Sequence, residues 1–281
     1  MIQTIGIFIQ QYNIGESSKT VQTHFEALGL SCDFDESVFL KQFACSIHAF
    51  AITDDRETAD HLKAAGIGFA VYDNDTSRLS SFPDALYIID FVSILPLQQV
   101  DRMLLRFLRL PWTILETDRC LVREITEEDV DALYEIYHSS DFDFRYTEGL
   151  YDDPTKERDY TRDYIDYQYR FCEYGIWIVI DKLTGKIIGR AGLSNRDGYE
   201  NAELGYGFAS AFRHKGYAFE VCSAILTYAR EQLGMSGLNA FTIRQNHDSV
   251  RLLKRLGFHF EDTAVLFGKE HDRYFIELSH R

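Results

Sequence analysis

At 281 residues, with 46% hydrophobic and 26% charged side chains, the chain is long enough for two ordinary domains and reads as globular. Its formal charge of −15 argues against nucleic acid as a partner, because neutralising phosphates needs a basic face. No apolar run nears the ~20 residues of a membrane span, no export signal opens the chain, and the five cysteines show no close pairing, so reduced thiols, a cytoplasmic location and no membrane are expected.

In chain order, Ile5 to Ile9 reads as a strand and residues 17–28 as a helix. Ala49 to Thr53 is a buried strand that runs into Asp54-Asp55. A helix follows from Thr58 to Ala65, stopped by Gly66. Gly68 to Tyr72 and Ala85 to Ile89 are further strands, and 94–109 is helical. Strands alternating with helices predict parallel βαβ units, hence a small three-layer, Rossmann-like α/β domain over 1–110.

This order resembles the Rossmann-like half of haloacid-dehalogenase-type phosphatases, which implies an aspartate nucleophile in D-x-D after an early strand. Asp33-Phe34-Asp35 has the letters, but no apolar strand precedes it, and the first strand ends in Gln10-Gln11. A non-catalytic accessory domain is therefore expected. Thr53 and Asp54, at a strand's C-terminal end, sit where open α/β sheets bind ligands.

Leu110-Pro111-Trp112-Thr113 reads as a junction opening a second domain, 111–281. Arg119 to Ile125 is a strand. Thr126 before Glu127-Glu128-Asp129 makes a capping-box start to a helix with Val130, Leu133, Ile136 and Tyr137 on its apolar side. Residues 127–159 hold 12 acids and 3 bases. Such a stretch either steers a cationic amine or is a solvated helix face. Residues 138–175 are rich in Tyr, Phe and Asp. Ile176 to Ile180 and Ile187 to Leu193 make a hairpin with Gly185 in its turn. Ala202 to Phe208 and Leu238 to Ile243 are strands, and the last pair is about 260–267 and Tyr274 to Leu278.

Two segments carry chemistry. Arg213-His214-Lys215-Gly216-Tyr217-Ala218 has the pattern R-x-x-G-x-A and opens a helix whose apolar residues are Val221, Cys222, Ile225, Leu226, Ala229 and Leu233. The turn aims backbone N–H groups at one spot, and the helix dipole adds to them, so it suits an anion such as a pyrophosphate. The second segment runs from Asn246, a good N-cap, through Ser249 and Leu253 to Gly257, a good helix stop. No Cys/His cluster has metal-ligand spacing, so no metal is expected.

With both motifs in this order, about residues 117–281 resemble the GCN5-related N-acetyltransferases (GNAT), and most closely the branch that acetylates ribosomal-protein N-termini. The resemblance implies a GNAT fold with a mixed, mostly antiparallel, splayed sheet. It implies an acyltransferase that uses acetyl-CoA as co-substrate and moves the acetyl group by direct attack of a primary amine. That amine belongs to a small molecule or a peptide N-terminus, and the enzyme is a monomer or homodimer.

It places the pyrophosphate on Arg213, His214, Lys215, Gly216, Tyr217 and Ala218. It places the pantetheine arm along Gly205 to Ala209, including Gly207, Phe208 and Ala209, where a bulge is expected. Asn246 would hydrogen-bond the pantetheine or order a water, Ser249 would face the thiol, and Glu203 would be the general base. The alternative for Glu203 is a salt bridge. Many relatives carry a tyrosine acid where this chain has Leu253, leaving water or Ser249 to serve. That departure favours a second reading, an acyl-CoA sensor without turnover.

Overall fold

A computed structural model describes residues 1–73, 82, 85–137 and 149–278. The chain divides into two compact units, Met1–Trp112 and Thr113–Arg281.

The first unit is built on β3 (Ala49–Thr53), whose five residues are all buried. A strand buried on both faces must be central, and the sheet order is β2-β1-β3-β4-β5, all parallel. Its partners are β1 (Thr4–Phe8), β2 (Ser31–Asp33), β4 (Gly68–Tyr72) and β5 (Ile88–Ile89). Phe50 and Ile52 face one core, with residues of α1 (Ser18–Ala27) and α4 (Leu97–Phe107). Ala49 and Ala51 face the other, where their small size admits Phe39 of α2 (Glu36–Phe43) and Leu62 of α3 (Arg56–Ala64). The three layers are as expected, with two differences. Only Ile88 and Ile89 of the predicted fourth strand pair, and β2 and α2 were not foreseen.

Asp33 ends β2, an edge strand, and Asp35 caps α2 by accepting from Val38 N at 3.2 Å. Asp54 accepts from Gln10 N at 2.7 Å and Gln11 N at 3.0 Å, and Thr53 Oγ1 accepts from Asp55 N. Asp54 thus ties the ends of β1 and β3 together, while Thr53 holds the turn that follows β3.

The second unit is a mixed, mostly antiparallel α/β fold. It starts with β6 (Thr113–Glu116), of which only Thr113 belongs to the expected junction, and β7 (Cys120–Arg123). Thr126 and Asp129 form the foreseen capping box, on a 3-10 turn leading into α5 (Val130–Tyr137). Next come α6 (Pro154–Tyr164), a π turn over Ile165–Tyr169 and the short α7 (Arg170–Cys172). Then come β8 (Ile176–Asp181), β9 (Ile187–Ser194), β10 (Glu203–Phe208), α8 (Tyr217–Glu231), β11 (Gly237–Thr242), α9 (His247–Leu256), β12 (His259–Leu266) and β13 (Lys269–Glu277). Residues 138–148 of the acidic, aromatic stretch lie outside the described residues.

The sheet order is β12-β13-β11-β10-β9-β8-β7-β6, and only β10 with β11 is parallel. Paired residues share a face, so Trp177, Ala191 and Tyr206 line one side, where Trp177 stacks on Tyr228 of α8. Ile178, Arg190 and Gly207 line the other, where Arg190 meets Tyr137 of α5.

Each unit has its own buried core. Residues 113–281 expressed alone should therefore melt as one cooperative transition. Amide NMR dispersion and a calorimetric scan check this. A broad, non-cooperative melt would mean that the second unit needs the first.

Candidate active site

The site begins where β10 and β11 part. They share one ladder pair, Glu203 with Asn239, and then diverge. On its other side β10 pairs with β9 in unbroken register from Glu203–Ser194 to Phe208–Gly189. The expected bulge is absent, since the strands separate by β11 leaving and β10 stays regular. Past Glu203, the β10 edge that faces β11 has backbone groups without a ladder partner.

Two cavities of about 530 and 550 Å³ meet at this split and share Tyr206, Gly207, Asn246 and Ser249. Glu203, Gly205, Gly207 and Arg190 lie on the α5 face, and Tyr206 on the α8 face. The gap joins the two sides of the sheet, because no strand closes β10 there. A Cβ on Gly205 would meet only Ile176 Cδ1, at 3.4 Å, so this part of the floor is clear.

The second cavity ends at the start of α8. Gly216 is the N-cap, with φ of 85°, and no side chain caps the helix. Leading N–H groups without a capping side chain, at the positive end of a fifteen-residue helix, favour an anion. The turn is held from outside. The Arg119 guanidinium donates to Lys215 O and to Glu220, its backbone N–H also donates to Glu220, and it lies over the Tyr217 ring at 4.1 Å. Tyr217 Oη donates to Asp181 at 3.1 Å, and Arg213 Nε to Phe208 O at 3.2 Å.

Arg213, His214, Gly216, Tyr217 and Ala218 line this cavity, with Gly207 and Phe208. Lys215 and Ala209 do not: Lys215 offers its carbonyl to Arg119, and Ala209 N donates to Ile188 O. Arg255, unforeseen, lines it and stacks on Phe219 at 3.9 Å. Arg251 also lines it but is paired with Asp248. One turn of α9 separates the two arginines, so helical spacing from Arg251 would have found Arg255.

Asn246 Oδ1 accepts from Ser249 N at 3.2 Å, which makes it the N-cap of α9. Ser249 lies at the junction beside Tyr206, and the buried Leu253 is on the wall of the first cavity. The Tyr206 hydroxyl is buried without a well-formed hydrogen bond among the described residues. Burial pushes this phenol well up and Ser249 offsets that only in part, so it stays a neutral donor.

Glu203 is 9% exposed and is ion-paired with Arg196. The same cavity holds a second buried carboxylate, Glu157, which accepts from Tyr151 N at 2.9 Å. Tyr160 and Tyr164 join the wall from α6, and Phe267, Lys269 and His271 from the β12–β13 hairpin. None of these was singled out from the sequence, because each comes from an element distant in the chain.

Among the described residues of the acidic stretch, four acids are ion-paired. Asp129 pairs with Arg123, Asp131 with Arg158, and Glu127 and Asp159 with Arg162. Among the described residues, no group of three or more His, Cys, Asp or Glu is placed to hold a metal ion. No helix among them is long and apolar enough to cross a membrane.

Residues 119–259 match the family model of the acetyltransferase (GNAT) domain. The uncharacterized N-acetyltransferase YoaA of Bacillus subtilis is 31% identical over 150 residues, which are 53% of this chain and 84% of that protein. The protein YkkB of the same organism is 29% identical over 163 residues, 56% of this chain and 91% of its own length. The ribosomal-protein-S5-alanine acetyltransferase of Vibrio fischeri has the same fold, with a TM-score of 0.50 at 18% identity, covering 58% of this chain and 95% of that one. The chain belongs to the GNAT family of acetyltransferases and is an acyltransferase.

The α8 turn should fail on acidification. Burial alone would raise the Glu220 carboxyl, but hydrogen bonds from Thr117 and Arg119 outweigh it and hold the group below its ordinary 4.5. A lowered folded-state value stabilises the protein above about pH 4.5 and is lost as pH falls through it. Arg119→Met should flatten the fall of melting temperature below that pH. A variant whose melting profile parallels the parent's would remove Arg119 as the lock.

Proposed function

We propose that the second unit is an acetyl-CoA-dependent N-acetyltransferase in which a primary amine attacks the thioester directly. The observation that carries this reading is the parting of β10 from β11 after one ladder pair, with a cavity running from there to the uncapped N-terminus of α8. The α8 turn, with Arg213 and Arg255, would hold the pyrophosphate. The pantetheine would lie along the unpaired edge of β10 past Glu203, reaching Asn246 and Ser249 at the junction. That route delivers the thioester to the gap, and the amine would approach from the α5 face.

When the amine nitrogen bonds to the carbonyl carbon, negative charge moves to the oxygen and a proton must leave nitrogen. Glu203 is the proposed acceptor of that proton, directly or through a water. Its bond to Arg196 holds the carboxylate in place on the cavity wall. Collapse breaks the C–S bond and releases a thiolate. Tyr206 fills the place left open by Leu253, donating a hydrogen bond to the thiolate from a hydroxyl that has no well-formed protein partner among the described residues. A free thiol of pKa ~8.5 needs no strong acid to leave, and water can return the proton. The sensor reading rests on the same Leu253 and on the committed Glu203. The first unit is proposed to be non-catalytic, shaping acceptor access or serving another partner.

Acetyl-CoA should raise the melting temperature, and Gly216→Asp should abolish the effect, because a carboxylate there repels phosphate. At a hundredfold excess over Kd the stabilisation is about 2.7 kcal/mol. An unshifted melt of the parent chain at saturating acetyl-CoA would refute the cofactor assignment.

Glu203→Gln should lower the transfer rate by ~10²–10⁴, with acetyl-CoA affinity little changed and the loss shrinking at high pH, where more amine is neutral. Thiol release across a pH series measures it. A near-normal rate at neutral pH would move the base to Glu157. Stable acetyl-CoA binding with no thiol release from any amine would favour the sensor.

A further inference from the structure

Arg190 projects from β9 opposite Gly207, on the face that carries Gly205 and Glu203. It lines the first cavity. Its guanidinium donates to the Tyr137 hydroxyl and lies 4.9 Å from that ring's centre, but it has no carboxylate partner among the described residues. Other arginines nearby are neutralised: Arg196 by Glu203, Arg123 by Asp129, Arg162 by Glu127. Among the described residues this half-buried guanidinium therefore faces the cavity with no carboxylate beside it, a setting that suits an anionic ligand.

We propose that the acceptor amine also carries a carboxylate, which Arg190 binds across the glycine floor from Glu203. The assignment rests on the transferase reading above and names its substrate class. Three observations converge on it. Gly207 and Gly205 place no side chain between the two charged residues. Gly207 lies four residue steps along the strand from Glu203, a span of ~13 Å, which the two side chains shorten from both ends. Lys269, on the hairpin that forms another wall, also has no carboxylate partner among the described residues, so the cavity offers a second cation. Tyr137 beneath the guanidinium holds its plane, which prepares the fork for a two-oxygen contact. A polyamine would place its remaining ammonium groups against these cations, whereas an amino acid or an acidic peptide N-terminus would place a carboxylate there.

The test uses the full chain, acetyl-CoA and matched acceptor pairs: glycine against glycinamide for a free amino acid, and Ala-Glu against Ala-Gln, both C-terminally amidated, for a peptide. The carboxylate member of at least one pair should have the higher kcat/KM. Arg190→Gln should lower that value by ~10–100-fold, mainly through KM, the scale of a lost charge-assisted hydrogen bond, so that the preference collapses toward one. Arg190→Lys, which keeps the charge and loses the fork, should fall between and serves if the glutamine variant does not fold.

Equal use of both members of each pair, or a variant that leaves the preference intact, overturns the proposal. If acetyl-CoA binds but no amine is acetylated, the transferase reading fails. The carboxylate site is then read separately, from the melting shift given by N-acetylglycine against N-acetylglycinamide. A larger shift with the acid supports the site, and equal shifts overturn it.

Discussion

Everything at the site depends on β10 keeping one neighbour and giving up the other. Six residues of β10 are paired with β9, so the strand is rigid although its second edge is open. A parallel strand pair normally continues for several residues, because each unpaired buried N–H or C=O group costs free energy. Here that cost is met only if something else occupies the edge. A cofactor arm with amides of its own suits it, and the strand is then half of a ladder completed by the ligand. The split also brings the two cavities together, since both are lined by Tyr206, Gly207, Asn246 and Ser249.

A rigid edge is useful only if the far end of the proposed cofactor site is equally fixed. Arg119 provides this from the start of the unit. It precedes β7, yet its donors reach Lys215 and Glu220, about a hundred residues on. The lock acts behind the turn and leaves the leading N–H groups of α8 facing the cavity. A side-chain cap at position 216 would stabilise the helix but occupy the N–H groups proposed to hold the anion. Holding the turn by Arg119 and Tyr217 avoids that competition.

Much of this was legible where local chemistry decides structure. β3 and β4 were read to the residue, because an unbroken apolar run ended by Asp or Asn leaves few alternatives. Gly216 and Gly257 were read because both need positive φ. The missed elements are those whose stability comes from elsewhere. β2 is three residues long with an exposed start and exists because β1 offers it an edge. β6 depends on β7 in the same way. In α6, Asp153 and Pro154 are a readable start, but the run of tyrosines hides the helical period. At the site, Glu203 was found by its place on a motif strand. Its partner Arg196 was not, because seven residues and a turn leave that contact undetermined until the chain folds. Arg190 was invisible for the same reason: its meaning comes from Gly207 across the ladder and Tyr137 on another helix.

The charge of the chain illustrates this difference between sequence and site most sharply. A net −15, concentrated over 127–159, suggests a surface that attracts cationic amines. The fold spends several of those acids on Arg123, Arg158 and Arg162, pairs that knit α5, α6 and the preceding turn together. The cavity wall receives a different set: Glu203 already paired, Glu157 bonded to the backbone, and Arg190 and Lys269 without carboxylate partners among the described residues. Net charge acts over a Debye length of ~8–10 Å in solution and governs approach. Inside the cavity, water is displaced and neighbours within a few ångströms dominate. A ligand can therefore be drawn by one sign of field and held by the other, and the residues that hold it are the ones that select it.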